Sequence, residues 1–323
     1  MICDVAFIDP QCAKAYSFDS IENDSLGGTE SSTIRVVEGV AKKGLKAIVV
    51  QKREFTPITS PTGVMYVPWS WLDVVKPKVA IHLRSRMFIE KFKYAKQYIW
   101  MHDAVGLDMN NISDWGMYLN PLNVEVISVS DWHTTNILSV CPTLTVRRIY
   151  SPIEESFYNY KQKGTYDRNQ LVWMSSPHKG LDIALELFQD ALKMNPEFKL
   201  VVFNPGYYKE AKIKYPRVAY LSETSRETIK AIVSQSLAVF FPTRYHETLG
   251  MFAMEANALG CPVACMNIAA LGESVNNAFA KDEQGVLDLV ASWYYEGRPT
   301  VTCPDHFLFE NIYPNWKAVY SGL

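Results

Sequence analysis

The sequence predicts an α/β protein made of two domains, each with a mostly parallel sheet. Short apolar runs alternate with segments whose apolar residues recur at helical spacing. This alternation stops near residue 150 and then restarts. The chain has 323 residues, 48% hydrophobic and 20% charged, which is too long for one ordinary core and typical of a globular protein. Repeated strand–helix order favours a parallel sheet with helices on both faces.

The first half opens on an apolar run and keeps the alternation. Ile2–Ile8 is predicted to be a buried strand, and Thr29–Lys42 a helix whose apolar residues fall on one face. The further strands predicted in this half are Ala47–Val50, Val64–Val67, Val79–His82, Tyr98–His102 and Val124–Val129, and the further helix is Ser85–Lys96.

The pattern is interrupted between residues 150 and 169. Ser151-Pro152 is followed by the polar stretch Tyr158–Arg168, which is typical of a boundary between domains. We therefore predict a Rossmann-like N-terminal domain over residues 1–150 and a second Rossmann-like domain from residue 151 to about 306.

The second half repeats the same kinds of element. Gly260 is expected to end a helix in the left-handed conformation that glycine adopts easily. Open parallel sheets bind ligands at the carboxyl ends of their strands, so two such domains imply a central cleft. The predicted strands are Leu171–Met174, Lys199–Phe203, Val218–Leu221, Leu237–Phe241 and Pro262–Met266, and the predicted helices are Leu181–Lys193, Arg226–Ser236 and Gly250–Leu259.

Two carboxylates eight residues apart lie around the start of the last of these helices. Glu247 falls in the loop before it and Glu255 in its second turn. The free N–H groups at the helix start, near Leu249 and Gly250, suit a phosphate. A loop carboxylate could accept sugar hydroxyls, and the helical one could reach a ribose diol. Taken alone, the spacing also fits a surface carboxylate and an ordinary helix glutamate.

The residues around this pair resemble a known signature. Phe240-Phe241-Pro242-Thr243, Glu247, Gly250, Glu255-Ala256 and Gly260-Cys261-Pro262-Val263 are similar, in order and spacing, to the E-x7-E region of retaining GT-B glycosyltransferases, above all glycosyltransferase family 4. The resemblance implies a GT-B architecture and transfer of a sugar from a UDP- or GDP-sugar to a glycan, a lipid or another hydroxyl acceptor. It also implies that Glu247 is catalytic, and that a C-terminal helix over residues 307–323 returns to the first domain.

Three further segments resemble the family in the expected order. Gly27-Gly28 precedes the first helix, like the family's glycine pair in the N-terminal domain. Lys179 ends a loop in Lys-Gly, which in the family contacts the donor diphosphate. His102 follows a strand of the first half, as does the family histidine that faces the donor sugar. A flexible turn, a solvated lysine and a structural histidine are the alternatives for these segments taken singly.

The chain departs from the family at one point. The family commonly places an arginine five or six residues before the lysine of Lys-Gly, where this chain has Trp173 and Met174. Arg244 could supply the missing charge, or it could be a solvated loop residue. This departure keeps a non-catalytic sugar-nucleotide-binding protein open, beside a nucleotide-sugar epimerase of the same architecture.

Cofactors and polyanionic partners are not expected. The chain contains no D-x-D for a metal bridged to a diphosphate, and the nucleotide-sugar is a substrate. A net charge of −2 gives no basic footprint for nucleic acid.

We expect a cytoplasmic protein, since the N-terminus has no basic region before its apolar run and no apolar run is long enough to span a membrane. The segment Arg84–Lys96 carries five basic residues and one acidic residue. Either it is a solvated helix face, or it makes a weak peripheral contact with membranes.

Overall fold

The computed structural model describes residues 1–23, 26–106, 111–162, 164–204, 215–222 and 224–321. Within these ranges the chain divides into two compact units. The first unit comprises Met1–Ile21, Gly28–Pro152 and His306–Leu323, and the second comprises Glu22–Gly27 and Ile153–Asp305. The predicted α/β class, with two parallel-sheet domains, is confirmed.

The first unit is built on an eight-stranded sheet. Its strand order is β3-β4-β2-β1-β5-β6-β7-β8, and every pair is parallel except β3 with β4. The strands are β1 (Ile2–Asp9), β2 (Ala47–Gln51), β3 (Ile58–Thr59), β4 (Met65–Pro68), β5 (Lys76–Leu83), β6 (Lys96–Trp100), β7 (Glu125–Ser128) and β8 (Val146–Arg148).

The second unit is built on a five-stranded sheet. Its order is β11-β10-β9-β12-β13, and all four pairs are parallel. The strands are β9 (Asp167–Trp173), β10 (Lys199–Asn204), β11 (Val218–Ser222), β12 (Ser236–Phe241) and β13 (Val263–Cys265). All six residues of β12 are buried, as expected for a strand covered on both faces.

The helices connect these strands and cover the sheets. They are α1 (Ser20–Asn23), α2 (Gly28–Lys42), α3 (Trp115–Leu119), α4 (Asp131–Val140), α5 (Glu155–Tyr158), α6 (Leu181–Met194), α7 (Arg226–Ser234), α8 (Met251–Ala258), α9 (Leu271–Ser274), α10 (Glu283–Glu296) and α11 (Phe309–Tyr320). None of the helices in the described ranges is long and apolar enough to cross a membrane.

The last helix packs into the core of the first unit. Trp316 of α11 is fully buried, and its ring lies 4.9 Å from Trp100 and 6.2 Å from Phe7, centroid to centroid. Gly39 of α2 faces the ring of Phe309, where a Cβ would lie 2.4 Å from two ring atoms. Glycine at this position therefore lets α2 and α11 approach closely.

The predicted helix Ser85–Lys96 is wrong. Arg84 adopts a left-handed conformation (φ 57°) directly after β5, and only Glu90–Phe92 forms a short 3-10 turn before β6 begins at Lys96. Ile89 and Phe92 are buried, so two apolar anchors fix the connection without a continuous helix. Favourable helix propensity is overridden here by tertiary packing.

The basic residues of this segment do not form one helix face. Arg84 is turned inward towards Asp9 and Glu30, and Lys91 pairs with Asp73. The helical face on which the membrane interpretation was based is therefore not present.

Candidate functional site

Two neighbouring strands of the second unit place the main candidate residues at one edge of its sheet. β9 and β12 pair in parallel, with Val172 opposite Val239. Their carboxyl ends, Trp173 and Phe241, therefore point to the same edge, where ligands of parallel sheets bind. The rings of Trp173 and Phe241 stack with centroids 5.1 Å apart beneath the two loops that follow.

Those two loops bring Lys179 and Glu247 together. The Lys179 ammonium lies 2.8 Å from Oε1 and 2.9 Å from Oε2 of Glu247. The Glu247 side chain is 7% exposed and the Lys179 side chain 24%. Ser175 donates to the same carboxylate at 3.5 Å, and the ring of Tyr245 lies 5.1 Å from the ammonium. An acceptor and a cation are thus fixed side by side at the sheet edge.

Gly180 explains why the two loops can come so close. Its φ is +101°, and a Cβ there would lie 2.7 Å from Cγ2 of Thr243. Both the left-handed backbone and the contact favour glycine. Lys179 therefore lies next to the point where the loop after β9 contacts the loop after β12.

The start of α8 lies between the two predicted carboxylates. Gly250 has φ +75°, and a Cβ there would lie 2.8 Å from Oγ of Ser274. Leu249 before it is buried at 3% exposure, and α8 begins at Met251. Glycine thus allows a sharp entry into the helix, whose first N–H groups and dipole favour an anion.

Glu255 lies in the second turn of α8, as predicted. Its Oε1 accepts from Nη1 of Arg226 at 3.2 Å, and its side chain is 10% exposed. Arg226, the first residue of α7, is a residue that sequence reasoning missed. No motif spacing links it to Glu255, because the two residues are 29 apart and meet only through the fold.

In this chain a core residue occupies one of the two positions where the family commonly has its arginine. Trp173 is fully buried in the sheet. Arg244, the residue suggested as a substitute, makes a two-pronged contact with Glu283 at 2.8 and 3.1 Å and is 64% exposed. It therefore lies at the surface, bound to the first residue of α10.

The candidate residues of the first unit also follow strand ends. His102 comes two residues after β6, and α2 begins at Gly28, directly after Gly27. Near the end of β1, Arg84 lies 3.6 Å from Asp9 and 3.7 Å from Glu30. Sequence reasoning missed this buried ion cluster, since Arg84 was assigned to a helix face.

Burial shifts the pKa values of His102 and Glu30 at this edge in the direction that favours their neutral forms. Desolvation, with the nearby Arg84, holds the pKa of His102 well below its usual value. Desolvation also raises the pKa of Glu30, although Arg84 opposes that shift. His102 is therefore a neutral imidazole at pH 7, suited to hydrogen bonding rather than to carrying charge.

We expect the first unit to lose stability as the pH falls from about 6.5 to about 4. Burial lowers the pKa of His82 and of His133 to about 4, so the unfolded chain binds protons in this window that the folded chain does not. The stability conferred by the two neutral imidazoles is complete above pH 6.5. At pH 5.5, protonation of the two histidines in the unfolded chain should lower the free energy of unfolding of the first unit by on the order of 2–3 kcal/mol.

Hydrogen exchange of the β5 and β6 amides, corrected for intrinsic rates, measures this loss in the first unit alone. An exchange free energy that is unchanged between pH 7.5 and pH 5.5 would contradict the prediction.

A known family model matches part of the second unit. Residues 172–287 match the family described as glycosyl transferases group 1. This stretch includes Lys179, Glu247, Gly250 and Glu255. The search of curated proteins found no match to this sequence.

Solved structures share the fold over nearly the whole chain. Anabaena Alr3699/HepE in complex with UDP-glucose has a TM-score of 0.73 at 13% identity, covering 99% of this chain and 100% of its own. Sucrose-phosphate synthase from Thermosynechococcus elongatus has a TM-score of 0.67 at 12% identity, covering 98% and 96%. AviGT4, a glycosyltransferase involved in avilamycin A biosynthesis, has a TM-score of 0.62 at 14% identity, covering 98% and 97%. The predicted resemblance to GT-B glycosyltransferases is thereby confirmed, and residues 172–287 match the model of the group 1 glycosyltransferases.

Proposed function

We propose that the protein is a retaining glycosyltransferase that transfers a sugar from a UDP- or GDP-sugar to a hydroxyl acceptor, a glycan or a lipid. One observation carries the proposal. Lys179 and Glu247 meet at the carboxyl ends of β9 and β12, beside the glycine-initiated start of α8. A cation for a diphosphate and a carboxylate for sugar hydroxyls are the two groups that such a donor requires.

Each residue has a chemical role in this proposal. Lys179 and the start of α8 bind the diphosphate, Glu255 accepts hydrogen bonds from the ribose diol, and Glu247 accepts them from the donor sugar. Departure of the nucleotide builds negative charge on the β-phosphate. Preorganised donors stabilise that charge more in the transition state than in the ground state, which accelerates the reaction.

The pairing of Lys179 with Glu247 supports this division of roles. The carboxylate is almost fully buried, and without a cation its burial would be costly. When the donor enters, the ammonium can turn from the carboxylate to a phosphate oxygen, and a sugar hydroxyl can donate to Glu247 instead. Each group exchanges one charged or polar partner for another, so neither is left unsatisfied.

Retention is proposed through attack on the face that the nucleotide leaves. The acceptor oxygen forms the new bond to the anomeric carbon as the bond to the β-phosphate oxygen breaks. The leaving phosphate then takes the proton of the acceptor hydroxyl. This scheme needs neither a covalent nucleophile nor a metal ion, and we assign none. A contact of His102 with the donor sugar stays a prediction from the resemblance.

Nucleoside diphosphates should raise the melting temperature. A ligand at one hundred times its Kd stabilises by about 2.7 kcal/mol, or roughly 5–10 °C for a unit of this size. A thermal-shift panel of UDP, GDP, ADP and their sugars identifies the base. UDP is the first to test, since HepE, which has a similar fold, was solved with UDP and with UDP-glucose. Absence of any shift across the panel would contradict the proposal.

A non-catalytic sugar-nucleotide-binding protein is the second candidate, suggested by the missing arginine. The usual arginine position holds the buried Trp173, and Arg244 is bound to Glu283. Such a protein would bind the nucleotide without releasing free sugar or forming a glycoside. An epimerase would convert the donor sugar without any acceptor. Following the donor alone by NMR, and then with a panel of hydroxyl acceptors, separates the three.

A further inference from the structure

Arg226 lies against the carboxylate that the proposed function assigns to the ribose. Its Nη1 donates to Oε1 of Glu255 at 3.2 Å, and the two side chains are only 13% and 10% exposed. A hydrogen bond between ionised groups at low exposure is stronger than a surface ion pair. The contact therefore fixes where the Glu255 carboxylate points.

Two further contacts position Arg226, one at the start of its helix and one at its guanidinium. Ser225 caps α7 by accepting from the backbone N–H of Thr228, which sets the start of the helix at Arg226. The ring of Phe157 lies 5.7 Å from the guanidinium carbon. A planar cation beside an aromatic ring loses little further freedom when it forms a hydrogen bond. Arg226 is thus preorganised to hold a carboxylate.

The next turn of α7 offers a matched comparison. The ammonium of Lys230 lies 5.9 Å from the same Phe157 ring, and its side chain is 9% exposed. Lys230, however, contacts Glu227 and the hydroxyl of Ser156, each at 3.2 Å. Two cations on one helix therefore lie near the same ring, and Arg226 is the one that contacts Glu255.

We infer that Arg226 is a positioning residue for nucleotide recognition, which holds the Glu255 carboxylate oriented to accept the 2′- and 3′-hydroxyls of a nucleoside diphosphate. The inference rests on the proposed function and adds a residue to it. A carboxylate has about four acceptor sites. Arg226 uses one of them, on Oε1. The inferred effect of Arg226 is therefore on the ribose alone and passes through Glu255.

A ribose-specific loss of affinity tests this role. We expect Arg226→Gln to weaken UDP binding about ten-fold in calorimetry, as loss of a supporting residue typically does. The affinity of Arg226→Gln for 2′,3′-dideoxy-UDP should stay within about two-fold of the wild-type affinity, because that analogue has no diol to donate hydrogen bonds to Glu255. Arg226→Lys should restore part of the UDP affinity. GDP and its dideoxy analogue are measured in parallel.

A double-mutant cycle with Glu255 provides the second readout. If Arg226 acts through Glu255, Arg226→Gln adds nothing to the loss caused by Glu255→Gln. Lys230→Gln is the matched control and should leave UDP affinity unchanged. The double variant also removes both charges together, so it does not leave a buried carboxylate without a cation.

The outcomes separate the two proposals. If the wild-type protein binds neither UDP nor GDP, the proposed function fails and this inference fails with it. If it binds either, the proposed nucleotide site stands and the variants judge Arg226 alone. Equal losses for UDP and dideoxy-UDP would mean that the effect of Arg226 does not pass through the ribose diol and would overturn the positioning role. An unchanged UDP affinity in Arg226→Gln, or additive losses in the cycle, would overturn it as well.

Discussion

Replacing Glu247 by glutamine lowers the rate of sugar transfer by about 10²–10³-fold, the expected cost of removing one preorganised polar contact to the transition state. The amide keeps the shape of the side chain but loses the negative charge that accepts from the sugar hydroxyls. Because the competing carboxylate is gone, Lys179 is left to the diphosphate. UDP affinity should therefore be equal to or tighter than that of the wild type. The variant should thus lose kcat without losing nucleotide affinity.

The control for this experiment is Glu186→Gln. Glu186 is an exposed carboxylate of α6 in the same unit, so its replacement tests the effect of one lost charge alone. Circular dichroism and thermal unfolding establish that both variants are folded. A Glu247→Gln protein that transfers sugar at the normal rate would refute the catalytic role of Glu247.

The part of the site that sequence reasoning predicts is the part that follows strand ends. Lys179 comes six residues after Trp173 and Glu247 six residues after Phe241, and the alternation of strands and helices indicates that both strands are parallel. Residues after parallel strands share one edge of the sheet, so their proximity depends only on the two strands being neighbours. The GT-B resemblance implies that the two strands are neighbours, and the parallel pairing of β9 with β12 shows it directly.

The parts that sequence reasoning missed depend on contacts between elements far apart in the chain. Arg226 begins a helix whose amphipathic pattern is evident, but nothing local relates it to Glu255. The segment after Arg84 shows a different error, a predicted helix that does not form. Its residues have good helix propensity, yet burial of Ile89 and Phe92 and the charge of Asp9 decide the local structure. Propensity is a weak guide wherever long-range packing and buried charge act on the same segment.

Replacing Lys179 by methionine has two separable effects, one on stability and one on binding. The variant leaves the buried Glu247 carboxylate without its cation, which should lower the free energy of unfolding by roughly 1–3 kcal/mol. The diphosphate loses a charge-assisted contact, so UDP affinity should fall about 10- to 100-fold, as expected for a contact worth about 1.5–3 kcal/mol. Chemical denaturation and calorimetry measure the two effects independently.

The double variant Lys179→Met/Glu247→Gln separates the loss of stability, caused by the unpaired Glu247 carboxylate, from the loss of UDP affinity, caused by the missing ammonium. Its site holds no unpaired charge, so the stability lost in Lys179→Met should largely return. UDP affinity should stay low and transfer should stay slow, because neither the cation nor the carboxylate has been restored. If UDP binds Lys179→Met as tightly as it binds the wild type, Lys179 does not contact the diphosphate, and its role is confined to neutralising Glu247. Recovery of stability without recovery of binding would instead show that the same ammonium serves the fold before the donor arrives and the donor once it is bound.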